Sequence, residues 1–129
     1  MTQDDLTAFI TARLDEDEAI AKAAANRHWL TDDNIITLHP EHDGDGFMSW
    51  PTRADAQHAA NHDPARVLRE VAAKRAIVAR YERGAAGELP EWTAGRELIQ
   101  AALAVLRAAL SDLASTWSDH PDYRCEWSI

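Results

Sequence analysis

His58 and His62 stand four residues apart, and Asp63-Pro64 follows at once. On a helix that spacing projects both imidazoles from one face, so the pair can grip a single divalent metal such as zinc. Asp63 is the adjacent oxygen donor. Asp119, His120 and Asp122 in the C-terminal segment are further candidates. A tail folded back over the short helix would assemble His58, His62 and His120 with one open position, the pattern of a metal-dependent hydrolase. The glutamate of an HExxH protease is missing, because Ala59 occupies its place. The same residues have a purely architectural reading. The histidines suit the negative end of a helix dipole, and Asp63 caps the next helix.

Other chemistry has less support. In 41-EHDGDGFMSWPT-52, Asp43, Asp45 and Gly46 match part of a calcium loop. Thr52 stands where that loop needs a bidentate glutamate, and a tight turn explains the same residues. Cys125 lies between Asp122 and Glu126, whereas a nucleophilic thiolate needs an electropositive setting. No glycine-rich phosphate loop occurs. With no complete catalytic set, the chain reads as a non-enzymatic interaction module.

Periodicity defines the elements that must position these groups. The first helix is expected over 4–26, capped by Thr2, with Leu6, Phe9, Ile10, Leu14, Ile20, Ala21 and Ala24 as its apolar stripe. A β-hairpin is expected over 34–50, from IITLH and GFMSW around a turn-rich EHDGDG. A short helix follows over 53–61. Asp63-Pro64 then starts a helix over 64–83, ended by Gly84 and Gly87. The longest helix should span 92–117, with Leu98, Ile99, Ala102, Leu103, Leu106, Leu110, Leu113 and Trp117 inward. An ordered tail, 118–129, is held down by Tyr123 and Trp127. The fold class is α+β and mostly α. It is an antiparallel bundle of three long helices with one short helix and a small hairpin, in one domain.

Composition narrows the partners. The net charge is −9 over 129 residues, and direct nucleic-acid binding is disfavoured. The charge is segregated: residues 1–33 carry eight acids against three bases, whereas 64–83 carry six bases against two acids. A protein partner or a homodimer fits this pattern. The candidate contacts are Asp15, Glu16, Asp17 and Glu18 on one helix, with Trp92 and Trp127. An acidic mimic of nucleic acid built on those four acids is the second alternative. One cysteine excludes an internal disulfide, and no uninterrupted apolar run reaches the ~20 residues of a membrane span. A cytoplasmic location is expected.

The segment HAANHDPARVLREVAAKRAIVARYE and the closing DHPDYRCEW resemble an uncharacterised family of small proteins from actinobacteria and their phages. The resemblance extends over nearly the whole chain. It supports the helical architecture and a phage or actinobacterial setting, and it implies no activity. Two positions depart from the family pattern: NRH precedes Trp29, and Cys125 interrupts the tail. His62-Asp63 is also similar to the pair in metal-dependent HD phosphohydrolases, with His39 or His42 and Asp112 or Asp119 to complete the set. Pro64 places the pair at a helix start, whereas that family holds it within a helix.

Overall fold

The computed structural model describes residues 4–24, 28–38, 47–88 and 95–128. In chain order these form α1 (Asp5–Ala23), β1 (Trp29–Asp32), β2 (Ile35–Leu38), β3 (Phe47–Ser49), α2 (Arg53–Asn61), α3 (Pro64–Ala85) and α4 (Arg96–Ala114). Two 3-10 turns follow, Ser115–Trp117 and Cys125–Trp127. The mostly helical α+β class stands. The chain divides into two compact units, Glu16–Val71 and Met1–Asp15 with Ala72–Ile129, and the division falls inside α1 and α3.

In the Glu16–Val71 unit the sheet has three antiparallel strands, ordered β1-β2-β3, where a two-stranded hairpin was expected. The added strand is Trp29–Asp32. It pairs Asp32 with Ile35 across the two-residue turn Asp33-Asn34. Asp33 takes a left-handed φ of 53° there, a conformation that Asp and Asn tolerate better than most residues. Asn34 then clamps the far end of β3: its Nδ2 donates to Trp50 O at 3.0 Å and its carbonyl accepts from Trp50 N at 2.8 Å. The expected turn 41–46 lies outside the described residues, as do His39 and His42. Ile36, at the centre of β2, is fully buried, and α2, which lies against β1 and β2, contributes the fully buried Ala56. The Thr52 hydroxyl caps α2 by accepting from Asp55 N at 3.1 Å.

The other unit is built on helix pairs whose directions follow from their polar contacts. Asp4 meets Tyr81 (3.4 Å) and Arg107, and farther along α1 Asp15 meets Arg75, which precedes Tyr81 in α3. The N-terminal part of α1 and α3 are therefore antiparallel. Tyr81 also lies 3.4 Å from Arg107, while the Lys74 ammonium sits 5.5 Å from the centre of the Trp117 ring. Hence α3 and α4 are antiparallel as well. Leu6, Ile10, Leu14 and Leu110 are fully buried, with Phe9 and Val78 nearly so.

The termini of these helices differ from expectation in instructive ways. Thr2 lies outside the described residues, and Asp4 supplies the cap of α1 by accepting from Leu6 N at 3.2 Å. Gly84 does not end α3; it is helical and buried. Gly87 does, at φ 80°. Glu88 N donates to Arg83 O and Gly87 N donates to Gly84 O, the paired bonds that close a helix on a left-handed residue. A Cβ at Gly87 would meet nothing within 4 Å, so only backbone strain opposes it. Gly87→Ala is expected to lower stability by about 1–2 kcal/mol, measured by urea denaturation; an unchanged midpoint would show that the closing turn relaxes freely.

Candidate functional site

In the Glu16–Val71 unit, α2 brings His58 and His62 together at its C-terminal end. Their ring centroids lie 4.7 Å apart with a 45° tilt, and both residues are exposed. His62 is the C-cap, and its Nδ1–H donates to the His58 carbonyl at 2.8 Å. Asp63 does not join them. The residue is only 4% exposed, and its carboxylate is committed to three neighbours. One oxygen accepts from Arg66 N at 2.8 Å and so caps α3, whose first helical residue is Pro64. The other accepts from Trp29 N at 3.2 Å and faces His28 Nδ1 at 3.1 Å. The capping reading of Asp63 is what its geometry displays, extended by a tie to the start of β1.

The second unit holds His120. Its Nε2 meets the guanidinium of the buried Arg13, and its ring packs edge-on to Phe9 at 5.8 Å. Two donors, Arg13 Nη1 and Asp122 N (3.1 Å from Nδ1), face the two ring nitrogens. A neutral imidazole has one lone pair only, so just one of these contacts is a hydrogen bond. The Asp122 carboxylate lies 3.9 Å from Nδ1. That is beyond hydrogen-bond reach, and the Arg13 guanidinium occupies the Nε2 edge of the ring. A ring edge faced by a guanidinium is a poor place for a second cation.

Trp127, an expected partner contact, is instead buried. It is 6% exposed and lies 5.0 Å from Phe9 and 5.7 Å from Tyr123. Its ring fills the tail's own apolar contact, which removes it from any partner surface. Trp92 lies outside the described residues. The four consecutive acids are partly satisfied within the chain. Asp15 accepts from Arg75 at 2.7 Å, Glu18 pairs with Lys22, and Glu16 and Asp17 also have partners.

The largest unclaimed feature is on α4. Ile99, Leu103, Leu106, Leu110, Leu113 and Trp117 are buried or half-buried at helical spacing. A second stripe, Leu98, Ala101, Ala102, Val105 and Ala109, faces out. Leu98 is 59% exposed and Val105 71%. Leu98 and Ala102, expected to point inward, belong to this outer stripe. Glu97 and Asp112 mark its two ends; both are exposed and neither forms an ion pair among the described residues.

A family model matches residues 3–129 of this chain. The chain belongs to the DUF6221 family, a family of unknown function. No curated protein and no solved structure matches it. Among the described residues of this DUF6221 chain, no group of three or more His, Cys, Asp or Glu side chains is placed to hold a metal ion. The outer stripe of α4 was legible in the sequence of this DUF6221 protein as a second run at helical spacing, offset by one residue from the inner run. Reading both runs as one stripe concealed it.

Proposed function

We propose that this DUF6221 protein is a small, acidic, non-enzymatic interaction module that receives an apolar helix flanked by basic residues along the outer face of α4. The observation that carries the reading is the exposed stripe from Leu98 to Ala109, an unpartnered ridge on a well-formed helix. Burying Leu98 and Val105 against a partner would contribute about 1.5–3 kcal/mol each. The alanines between them let a second helix approach closely.

Charge selects the partner. Glu97 and Asp112 flank the stripe roughly 22 Å apart, the rise of fifteen helical residues. A helix with Lys or Arg at matching intervals would pair with both. A second copy of this chain would set like charges against each other in either direction. An anionic membrane is disfavoured by the net charge of −9. The segment Arg96–Trp117 is long and apolar enough to cross a bilayer by length and composition. However, Arg107 sits at its middle, where insertion costs roughly 2.5–3.5 kcal/mol, and its guanidinium meets Asp4 instead.

The test is a photo-crosslinking residue at position 105, with one at the exposed Arg80 of α3 as control, in cells that express the full chain. Adducts with other proteins are expected from 105, lost on adding Leu98→Glu, and absent from 80. No adduct from 105, or equal labelling from both positions, would sink the reading. Adducts of twice the chain mass, or flotation with anionic vesicles, would replace the basic helix by a second copy or a membrane. Because nothing inside the fold leans on it, Val105→Glu should leave stability within about 0.5 kcal/mol of the parent in thermal denaturation.

A further inference from the structure

We propose that His58 and His62 form a two-histidine chelate for a late first-row divalent cation, Cu2+, Ni2+ or Zn2+, on the surface of the Glu16–Val71 unit. The proposal is independent of the α4 face.

The rings are separated as a bound ion requires. Two imidazoles bound to one ion at about 2.0–2.1 Å each, between right-angle and tetrahedral, hold their ring centres about 4.5–5.2 Å apart. The observed 4.7 Å lies inside that interval. Both rings are exposed, so an ion reaches them from solvent without any rearrangement of the fold.

The tautomer of His62 is set by its own helix. His62 Nδ1 is 2.8 Å from the His58 carbonyl, which can only accept, so Nδ1 carries the proton and Nε2 carries the lone pair. A backbone carbonyl on one ring nitrogen is the contact that orients a metal-bound histidine and sets which nitrogen binds. Here one turn of α2 supplies it, from the partner histidine itself. The His58 ring makes no hydrogen bond among the described residues, so nothing competes for its lone pair.

Among the described residues, the pair has no carboxylate beside it to share an ion. Asp63, the neighbouring carboxylate, is spent on capping α3 and holding β1. The donor set is thus two neutral nitrogens. That set favours copper, nickel and zinc and is poor for calcium and magnesium, which require oxygen. Two protein ligands leave at least two positions of a four-coordinate ion to water or to an external ligand. The ion is therefore exchangeable, unlike that of a closed four-ligand structural site.

The experiment titrates Cu2+, Zn2+ and, as a control, Mg2+ into the full chain by calorimetry, alongside imidazole 15N spectra. The variants are His58→Ala, His62→Ala and the double substitution. One equivalent of Cu2+ should bind, more tightly than Zn2+, with no heat from Mg2+. Each single variant should lose at least tenfold in affinity, and the Nε2 resonance of His62 and one ring-nitrogen resonance of His58 should shift on addition of Zn2+. His58→Ala is the decisive variant, because that ring supports nothing in the fold and far-UV circular dichroism should be unchanged. Wild-type affinity in His58→Ala, or wild-type binding no tighter than the double variant, would overturn the proposal, including the case in which the ion sits on His39 or His42.

Discussion

Phe9→Ala is expected to destabilise the protein by about 3–5 kcal/mol, the range for removing a buried aromatic side chain. Phe9 is 7% exposed, and three rings of the C-terminal segment pack on it. Its ring centroid lies 5.8 Å from His120, 6.0 Å from Tyr123 and 5.0 Å from Trp127. On the same ring the Arg13 guanidinium sits 5.6 Å from the centroid. Removing the ring takes away the contact of three tail side chains at once. It also unseats the guanidinium that His120 meets. The Arg124–Asp5 pair, 2.8 Å between exposed groups, is too solvated to hold the segment by itself. Two measurements should therefore move together: the thermal midpoint should fall, and trypsin should cut after Arg124 much faster. Phe9→Leu should recover more than half of the loss, because it restores volume without the edge-on contacts. A midpoint change worth less than 1 kcal/mol, with unaltered proteolysis, would show that the tail docks without Phe9.

That latch was partly readable. Tyr123 and Trp127 are large apolar groups in a segment with no helical period, and such groups need a surface to bury against. Their partner was not readable, because nothing local in LTAFITARL says which element will cover Phe9. The helices were legible for the opposite reason: each carries its own period and its own punctuation, as in Asp63-Pro64 at the start of α3 and Gly87 at its end. Where the apolar residues nearly encircle a helix, the period stops discriminating. Leu98 and Ala102 fit the inner and outer stripes of α4 almost equally well, and only packing decides between them. Ile20 shows the converse. It is expected in the stripe of Leu6, Ile10 and Leu14, yet it stands six residues past Leu14 and is 72% exposed, while Ala21, seven past Leu14 and so back on the same face, is buried. Strand β1 was missed because WLTD lacks the β-branched pair that marks IITL and runs straight into Asp32-Asp33; its signal was the Asp33-Asn34 turn.

The candidate site was legible in its parts but not in its grouping. The four-residue spacing of His58 and His62 put them on one side of α2, and α2 does hold their rings together. The role of Asp63 depended on a contact with Trp29 across more than thirty residues of chain, which spacing does not encode. That contact makes Asp63 the second position where one substitution should weigh heavily. Asp63→Ala strands the Arg66 N–H at the first turn of α3 and the Trp29 N–H at the start of β1, each losing the carboxylate that pairs it. A lost helix cap costs about 0.5–2 kcal/mol, and an unsatisfied buried donor about 1–3 kcal/mol. Together they predict a loss of about 2–4 kcal/mol in urea denaturation. Asp63→Asn keeps one acceptor but must turn its NH2 toward a donor, so at least half of the loss should remain. Hydrogen exchange separates the two ends: the Trp29 amide should lose protection in both variants, whereas Asp63→Asn should spare the Arg66 amide. If Asp63→Ala changed stability by under 1 kcal/mol and left the Trp29 amide protected, the carboxylate would be a bystander at a junction that packing alone maintains. The 4% exposure of Asp63 argues against that outcome, since a carboxylate kept from water at that depth is stable only while its donors stay in place.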